Sequence, residues 1–285
     1  MILIADSGST KCTWALPSKT KQEVQYFTTI GFNPYFIDKE KIISHLEQSE
    51  LNNYANDITE IHFYGAGCSN EKMRKLIADS LISFFKNATI SVKHDLDAAC
   101  IATYNGGENI CCILGTGSNS CFYDGKNILE AAPSLGFIVG DEASGNYFGK
   151  KILNLYFNNK LPEKLKEKFR KQYKINIKDF SENVYQKEKP NKYLATFFRF
   201  LTQNKEEVLF QKIIKDGVRE FFDLHVCCYE NYQNHQIHFA GSVAHFLEDE
   251  LKEVAKELNC KIGQIIQNPI NNLVKHHQKI VVRNH

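Results

Sequence analysis

The sequence predicts an α/β protein in which one unit of strands and helices occurs twice. Residues 2–5 form an apolar run that ends at the turn sequence Asp-Ser-Gly-Ser-Thr-Lys, and residues 110–114 form another that ends at Gly-Thr-Gly-Ser. Each run is short enough for a buried strand and leads through a tight turn into a second run rich in β-formers. After each hairpin, apolar strand patterns alternate with helical ones, which indicates a duplicated α/β fold.

In the first half the order of elements is predicted to be β-β-β-α-β-α-β-α. The predicted strands are 2–5, 12–16, 24–29, 60–64 and 89–93, and the predicted helices are 39–49, 71–85 and 98–103. Asn70 immediately precedes the second helix and has the side chain of a typical N-cap residue.

The second half repeats this order and adds a long helical segment. Strands are predicted at 109–114, 120–123, 127–131, 236–240 and 261–266, with a helix after Gly140-Asp141-Glu142, a mostly helical stretch at about 153–232, a helix ending near 258 and a last helix after Pro269. A chain of 285 residues exceeds the usual size of one core. We therefore expect domains at 1–105 and 106–268, with the final helix, 269–285, packing back on the first.

The composition of the chain indicates which kinds of partner molecule and which cellular compartment to expect. The net charge of +2 predicts neither a nucleic acid nor an anionic membrane as a partner. Nine cysteines, an odd number, lie mostly in apolar segments without a CxxC motif, which predicts reduced thiols and a cytoplasmic protein. The sequence contains neither an evident signal peptide nor 18 consecutive apolar residues.

The two hairpin turns have the chemistry of phosphate-binding loops. Glycine lets the backbone approach a ligand, and Ser and Thr hydroxyls add donors to the backbone N–H groups. Two such turns predict a clamp on a polyphosphate, and Asp6 at the end of its strand offers an oxygen ligand for a Mg²⁺ ion bound to phosphate. The sequence has no P-loop motif, and Ser120 stands where a dinucleotide fingerprint needs its third glycine.

Four motifs carry a resemblance that spans the chain. Residues 6–11, 115–120 and 239–243 resemble the two phosphate motifs and the adenosine motif of the actin, sugar kinase and heat-shock chaperone superfamily. Residues 136–145 (GFIVGDEASG) are similar to the signature of the BadF/BadG/BcrA/BcrD-type ATPases, which include the N-acetylglucosamine kinases. The resemblance implies a duplicated actin-like (ribonuclease H-like) fold of two domains with an interdomain cleft. It also implies an ATP- and Mg²⁺-dependent kinase that phosphorylates a hydroxyl of an amino sugar or related hexose.

The resemblance also implies roles for individual residues. ATP would be held by Ser7, Gly8, Ser9, Thr10, Lys11, Gly115, Thr116, Gly117, Ser118, Gly241 and Ser242. Asp6 would hold Mg²⁺ through water, and Lys11 is alternatively an exposed hairpin lysine. The sugar would be bound by Asn33, Gly65, Ala66, Gly67, Asp141 and Glu142, with Asp141 contacting sugar hydroxyls or assisting the metal.

The candidate catalytic base lies where a strand gives way to a helix. Both Asp95 and Asp97 occupy this turn, where an aspartate can also serve as an ordinary helix cap. The family pattern places small residues shortly after its catalytic aspartate, and alignment on Ala98-Ala99 favours Asp95, with Asp97 as the alternative. His94 is expected to face away from Asp95, as neighbours in a strand do. His276-His277 is expected on the surface.

Three departures from the N-acetylglucosamine kinases leave the substrate open. Leu135 stands where they carry tryptophan, Cys68 where they carry aspartate, and Ala143 where glycine is usual. Two other functions remain as alternatives. One is an ATPase that activates a dehydratase through an iron–sulfur cluster, which Cys111-Cys112 in a core strand disfavours; the other is a non-catalytic sugar sensor. Aromatic residues within 153–232 are compatible with either a core or a homodimer interface.

Overall fold

The computed structural model describes residues 1–18 and 23–283. The chain forms two compact units. Unit 1 comprises Met1–Asn105 and the chain from Asn268 onward, and unit 2 comprises Gly106–Gln267.

Unit 1 is built on a five-stranded mixed sheet. Its strands are β1 (Ile2–Ser7), β2 (Lys11–Pro17), β3 (Val24–Ile30), β4 (Glu60–Gly65) and β5 (Thr89–His94), in the spatial order β3-β2-β1-β4-β5. The first three strands form an antiparallel meander, whereas β4 and β5 run parallel to β1. Ser7 pairs with Gly65, and Gly65 pairs with His94. The carboxyl ends of the three parallel strands therefore meet at one edge of the sheet.

Helices cover both faces of this sheet because the side chains of β1 alternate in direction. The helices are α1 (Lys39–Glu47), α2 (Glu71–Phe84), α3 (Asp95–Thr103) and a C-terminal helix (Ile270–Arg283). Leu3 belongs to the same buried cluster as Leu81 of α2, while Ile4 lies in a second cluster with Leu273 of the C-terminal helix. The predicted cap is confirmed, since Asn70 Oδ1 accepts a hydrogen bond of 3.0 Å from the backbone of Met73.

The expectation that His277 lies on the surface is wrong. Its side chain is buried, its Nε2 lies 2.9 Å from Tyr64 Oη, and its ring stacks on that of His62 with centroids 3.8 Å apart. The reason is the helical period: Ile270, Leu273 and Val274 form an apolar stripe, and position 277 continues it. Burial and, secondarily, the nearby His62, His276 and Lys93 together lower the pKa of His277 to about 3.

Replacing His277 by glutamine is expected to weaken the pH dependence of stability. An unfolded histidine takes up its proton near pH 6.5, whereas folded His277 resists protonation down to about pH 3. The unfolded state then binds more protons, so the free energy of unfolding falls as pH decreases between these values, by about 1 kcal/mol from pH 7.5 to 5.5. Denaturant unfolding of the wild type and H277Q at pH 7.5 and 5.5 measures this change in the free energy of unfolding. The exposed His245, changed to glutamine, is the control, and equal pH dependence in the wild type and H277Q would contradict the account.

Unit 2 repeats the sheet of unit 1. Its strands are β6 (Asn109–Leu114), β7 (Ser118–Tyr123), β8 (Ile128–Leu129), β9 (Gln236–Ala240) and β10 (Lys261–Ile266), in the order β10-β9-β6-β7-β8. The pairs β6-β7 and β7-β8 are antiparallel, and β9 and β10 run parallel to β6. Strand β6 thus has the position and neighbours of β1. The predicted duplication is confirmed.

The helices of unit 2 are α4 (Gly136–Val139), α5 (Gly145–Phe157), α6 (Glu163–Tyr173), α7 (Ile177–Tyr185), α8 (Pro190–Ala195), α9 (Phe198–Gln203), α10 (Val208–His225), α11 (Ser242–Phe246) and α12 (Glu248–Glu257). Helices α5 to α10 confirm the predicted helical stretch. Many of its aromatic side chains serve the core, and Phe169 packs edge-on against Phe200 with centroids 5.1 Å apart.

The helix predicted after Gly140-Asp141-Glu142 is confirmed, and these three residues lie outside it. Helix α5 begins at Gly145, and its N-cap is Ser144, whose hydroxyl accepts from the backbone of Tyr147. Asp141 and Ala143 have left-handed φ values of 62° and 54°, which a right-handed helix excludes. The left-handed conformation at 143 also gives a physical reason why glycine is favourable there.

Among residues 1–18 and 23–283, no helix combines the length and apolarity that a membrane span requires. In the same part of the chain, no three His, Cys, Asp or Glu side chains are grouped closely enough to hold a metal ion.

Candidate active site

The turn of the unit 1 hairpin is closed by a backbone hydrogen bond, and Gly31 packs directly against its backbone. Gly8 N donates to Lys11 O at 3.0 Å, and Lys11 begins β2 with an exposed side chain. Gly31 lies so close beneath the turn that an added Cβ would fall 2.0 Å from Gly8 O. Ser7 is fully buried, and its hydroxyl accepts from Phe32 N at 3.0 Å. Its hydroxyl is therefore placed to support the turn from within.

The structure brings Asn33 and the residues after β4 to this turn. Asn33 Nδ2 donates to Ser9 Oγ at 2.9 Å, and Ala66 N donates to Ser7 O at 2.8 Å. Gly67 has a φ of 79°, and a Cβ added there would lie 2.4 Å from Asn33 Oδ1. These contacts place candidate sugar-binding residues next to candidate phosphate-binding ones within unit 1.

The side chain of Asp6 is buried near a second carboxylate, Asp95, at the same sheet edge. Burial and, secondarily, the charge of Asp95 raise the pKa of Asp6 to about 7. Burial and Asp95 also raise the pKa of the Cys68 thiol to about 12. Mg²⁺ is bound through oxygen ligands such as carboxylates, and a divalent cation beside Asp6 would favour its charged form against both burial and the charge of Asp95. The donor set at Asp6 therefore fits the ion that the sequence implies.

Asp95 and Asp97 have different partners. Asp97, in the first turn of α3, accepts from His94 N at 3.1 Å and so caps the helix. Asp95 is the first residue of α3, and its Oδ1 lies 3.1 Å from His94 Nε2. The expectation that His94 and Asp95 face apart is wrong, because His94 ends the strand and the chain turns into the helix between them. His94 can orient the Asp95 carboxylate, whereas Asp97 has a capping role.

In unit 2 the second hairpin turn is bonded directly to the acidic turn before α5. Gly115 O accepts from Gly145 N at 2.8 Å, and Asp141 Oδ1 accepts from Ser118 N at 3.2 Å. Asn146 joins both turns, since its Nδ2 donates to Thr116 O at 2.7 Å and to Asp141 Oδ2 at 2.6 Å.

Gly117 completes this junction. A Cβ at Gly117 would lie 2.9 Å from either carboxylate oxygen of Asp141. Burial raises the pKa of Asp141, although hydrogen bonds from Asn146 and Ser118 oppose the shift. The glycine-rich turn and Asp141 therefore form one connected element.

Glu142 points to a different partner, on α10. His225 Nε2 lies 2.8 Å from Glu142 Oε2, and both side chains are buried. The segment before Asp141 is held by a separate bond: Lys150 Nζ, on α5, donates to Phe137 O, on α4.

Gly241 and Ser242 lie at the end of β9, beside the second hairpin. Gly241 has a φ of 126°, and a Cβ there would fall 2.1 Å from the carbonyl oxygen of Leu114, the residue that precedes Gly115. Ser242 is the first residue of α11. Unit 2 therefore brings three of the predicted groups together: 115–118, 141–142 and 241–242.

Sequence patterns did not identify Asn146 or His225. Asn146 lies in the segment Gly145-Asn146-Tyr147-Phe148-Gly149-Lys150, which has the wrong spacing for a P-loop. Its position just after the acidic signature is the signal that could have revealed it. His225 is 83 residues from Glu142, and no local pattern marks it.

The chain was compared with protein families, curated protein sequences and solved structures. No family model matches the chain, and no curated protein sequence matches it. A crystal structure from Porphyromonas gingivalis, named a "putative N-acetylglucosamine kinase", is 34% identical, with a TM-score of 0.90 over 98% of this chain and 99% of that chain.

More distant structures share the fold. The Chromobacterium violaceum protein of the same name is 14% identical, with a TM-score of 0.66 over 96% of this chain and 98% of that one. A ROK family glucokinase from Streptomyces griseus, in complex with glucose and AMPPNP, is 14% identical, with a TM-score of 0.57 over 96% and 97%.

The predicted fold class, a duplicated α/β fold of the actin-like type, is confirmed by these likenesses. The identity and nearly complete mutual coverage show that the chain belongs to the sugar kinase family of the Porphyromonas gingivalis protein, whose members are phosphotransferases with an alcohol acceptor.

Proposed function

We propose that this protein transfers the γ-phosphate of ATP to a hydroxyl of an amino sugar or related hexose, with N-acetylglucosamine as the first candidate. The observation that carries the proposal is the Asp95 carboxylate. It lies at the sheet edge that also holds Asp6 and the first phosphate turn, and His94 contacts it at 3.1 Å. A general base in this place can accept the proton of an attacking hydroxyl.

The proposed roles in unit 1 follow from these contacts. Asp95 accepts the proton of the sugar hydroxyl while the hydroxyl oxygen forms a bond to the γ-phosphorus of ATP. The bond between that phosphorus and the oxygen of the departing ADP breaks. Asp6 holds Mg²⁺, which when bound offsets the negative charge of the phosphates. Residues 8–11 bind phosphate oxygens, and Ser7 supports them from within. Asn33 positions the sugar near Ser9, together with residues 65–67.

In unit 2, residues 115–118 bind phosphates and Gly241-Ser242 bind the nucleoside. The ATP analogue held by the Streptomyces griseus glucokinase supports ATP as the donor. Asp141 and Glu142 bind sugar hydroxyls, because carboxylates accept directional hydrogen bonds from them. The signature at 136–145 supports a place among the BadF/BadG/BcrA/BcrD-type ATPases. Cys68 stands where the N-acetylglucosamine kinases carry an aspartate. Whether the substrate carries an acyl-amino group is therefore the part of the specificity that the assay must decide.

The test is an ADP-release assay coupled to an indicator reaction, with ATP, Mg²⁺ and one acceptor at a time. N-acetylglucosamine, glucosamine and glucose are the first acceptors, and NMR of the best product locates the phosphate. We expect ADP release that depends on the acceptor and saturates with it. ADP release at one rate with and without every acceptor would contradict a kinase and favour an ATPase, and sugar binding in calorimetry without any ADP release would favour a sensor.

A further inference from the structure

A buried histidine from the end of α10 contacts the acidic turn of unit 2. His225 Nε2 lies 2.8 Å from Glu142 Oε2, with the two side chains 7% and 11% exposed. A carboxylate oxygen accepts hydrogen bonds, so in the neutral ring Nε2 carries the proton and donates it. Charge-assisted bonds of this length are stronger than neutral ones. The contact therefore restricts where the Glu142 carboxylate can lie.

The histidine is itself held in place. Its ring stacks on that of Phe221, one helical turn earlier, with centroids 5.0 Å apart and planes 22° from parallel. Helix α10 is tied to α5 by the bond of 2.6 Å from Tyr147 Oη to Glu220 Oε2. Since α5 begins directly after the acidic turn, the same two helices fix both ends of the contact between His225 and Glu142.

Packing alone does not account for a histidine here. His225 Nδ1 is buried and has no hydrogen-bond partner among the described residues. An unpartnered buried acceptor is destabilising, and an apolar side chain would fill the same space without that cost. The bond that His225 Nε2 makes to Glu142 is what sets this histidine apart from an apolar side chain of similar size.

Glu142 needs such support more than its neighbour does. The backbone at 141 and 143 is fixed in left-handed conformations, and Asp141 is held by Ser118 and Asn146. The longer side chain of Glu142 has three rotatable bonds, and His225 is its polar side-chain partner in the described chain. Without this donor, the Glu142 carboxylate would lose its side-chain hydrogen bond and keep the less directional attraction of the Lys150 charge.

We infer that His225 is a positioning residue for substrate recognition. It binds one oxygen of Glu142, so that the other is oriented to accept a hydrogen bond from a hydroxyl of the sugar. The inference rests on the proposed function of Glu142. It predicts that His225 affects binding of the acceptor and leaves binding of ATP unchanged, although it contacts neither.

Five variants, H225L, H225Q, H225N, E142Q and the double variant of E142Q with H225L, test this in the assay above, with the acceptor of highest kcat/KM among N-acetylglucosamine, glucosamine and glucose. H225L removes the donor, H225Q places an amide N–H at nearly the reach of Nε2, and H225N is too short. We expect H225L and H225N to raise the acceptor KM by about tenfold or more, with the ATP KM unchanged within about twofold. H225Q restores the acceptor KM to within about threefold. In a background of E142Q, H225L has little further effect.

Two controls separate positioning from folding. H238Q changes another fully buried histidine of unit 2 that has an unpartnered ring nitrogen, and we expect it to keep the acceptor KM. Thermal unfolding establishes that each variant is folded, and if H225L does not fold, the comparison of H225Q with H225N decides. Equal losses in H225Q and H225L, a parallel rise of both KM values, or an unchanged acceptor KM in folded H225L would overturn the inference. A wild type that phosphorylates no acceptor would instead overturn the proposed function.

Discussion

Replacing Asp95 by asparagine is expected to lower kcat for sugar phosphorylation by about 10²–10⁴-fold, the usual contribution of a general base. The amide keeps the size of the carboxylate but cannot accept the hydroxyl proton. ATP affinity should change little, because Asp95 contacts the acceptor in this account. Steady-state kinetics with calorimetric titration of ATP measure both quantities.

Asp97 provides the matched control in the same turn. Its carboxylate accepts from His94 N, and the side-chain oxygen of asparagine can accept the same bond. We therefore expect D97N to retain activity within about tenfold of the wild type, with at most about 1 kcal/mol lost from the free energy of unfolding. A D97N enzyme that is inactive beside an active D95N would reverse the two assignments.

Replacing Gly31 by alanine is expected to reduce kcat/KM by about 100-fold or more. The added Cβ would fall 2.0 Å from Gly8 O, 2.7 Å from Ser9 C and 2.8 Å from Thr10 N. All three are backbone atoms, so the turn itself must move, and displacements of about 1 Å can cost that much in an enzyme. The ATP KM should rise, and kinetics at varied ATP measure the effect.

The control for Gly31 is a glycine without such contacts. Gly107 has a φ of 73° and no atom within 4 Å of an added Cβ. G107A should therefore lower stability through backbone strain while leaving the ATP KM unchanged. A folded G31A enzyme with the wild-type ATP KM would contradict the role of the 8–11 turn in binding phosphate.

The hairpins and the repeated sheet could be predicted because their signals are local. Apolar runs of strand length, broken by glycine, mark β1 and β6, and the order of later strands follows them along the chain. The same locality explains an error. His94 and Asp95 were expected to face apart by strand geometry, but the strand ends between them, and boundaries are where periodicity fails.

Within the candidate site, residue types could be predicted better than partners. Asp95 and Asp97 are the same residue type two positions apart, and the structure distinguishes them by their partners, His94 Nε2 for Asp95 and His94 N for Asp97. The link from Asn146 to Thr116 and Asp141 depends on two segments meeting in space. His225 comes from the end of a helix whose periodicity explains its burial but not its partner. Such contacts arise from tertiary packing, which no short pattern encodes.

The most direct measurement of the central claim follows the γ-phosphate itself. The purified protein is incubated with γ-³²P-labelled ATP, Mg²⁺ and N-acetylglucosamine, glucosamine or glucose, and the labelled products are separated. Label on a sugar phosphate in the wild type, and its loss in D95N, is the result we predict. Label that appears solely as inorganic phosphate, or remains on ATP with every acceptor, would contradict it.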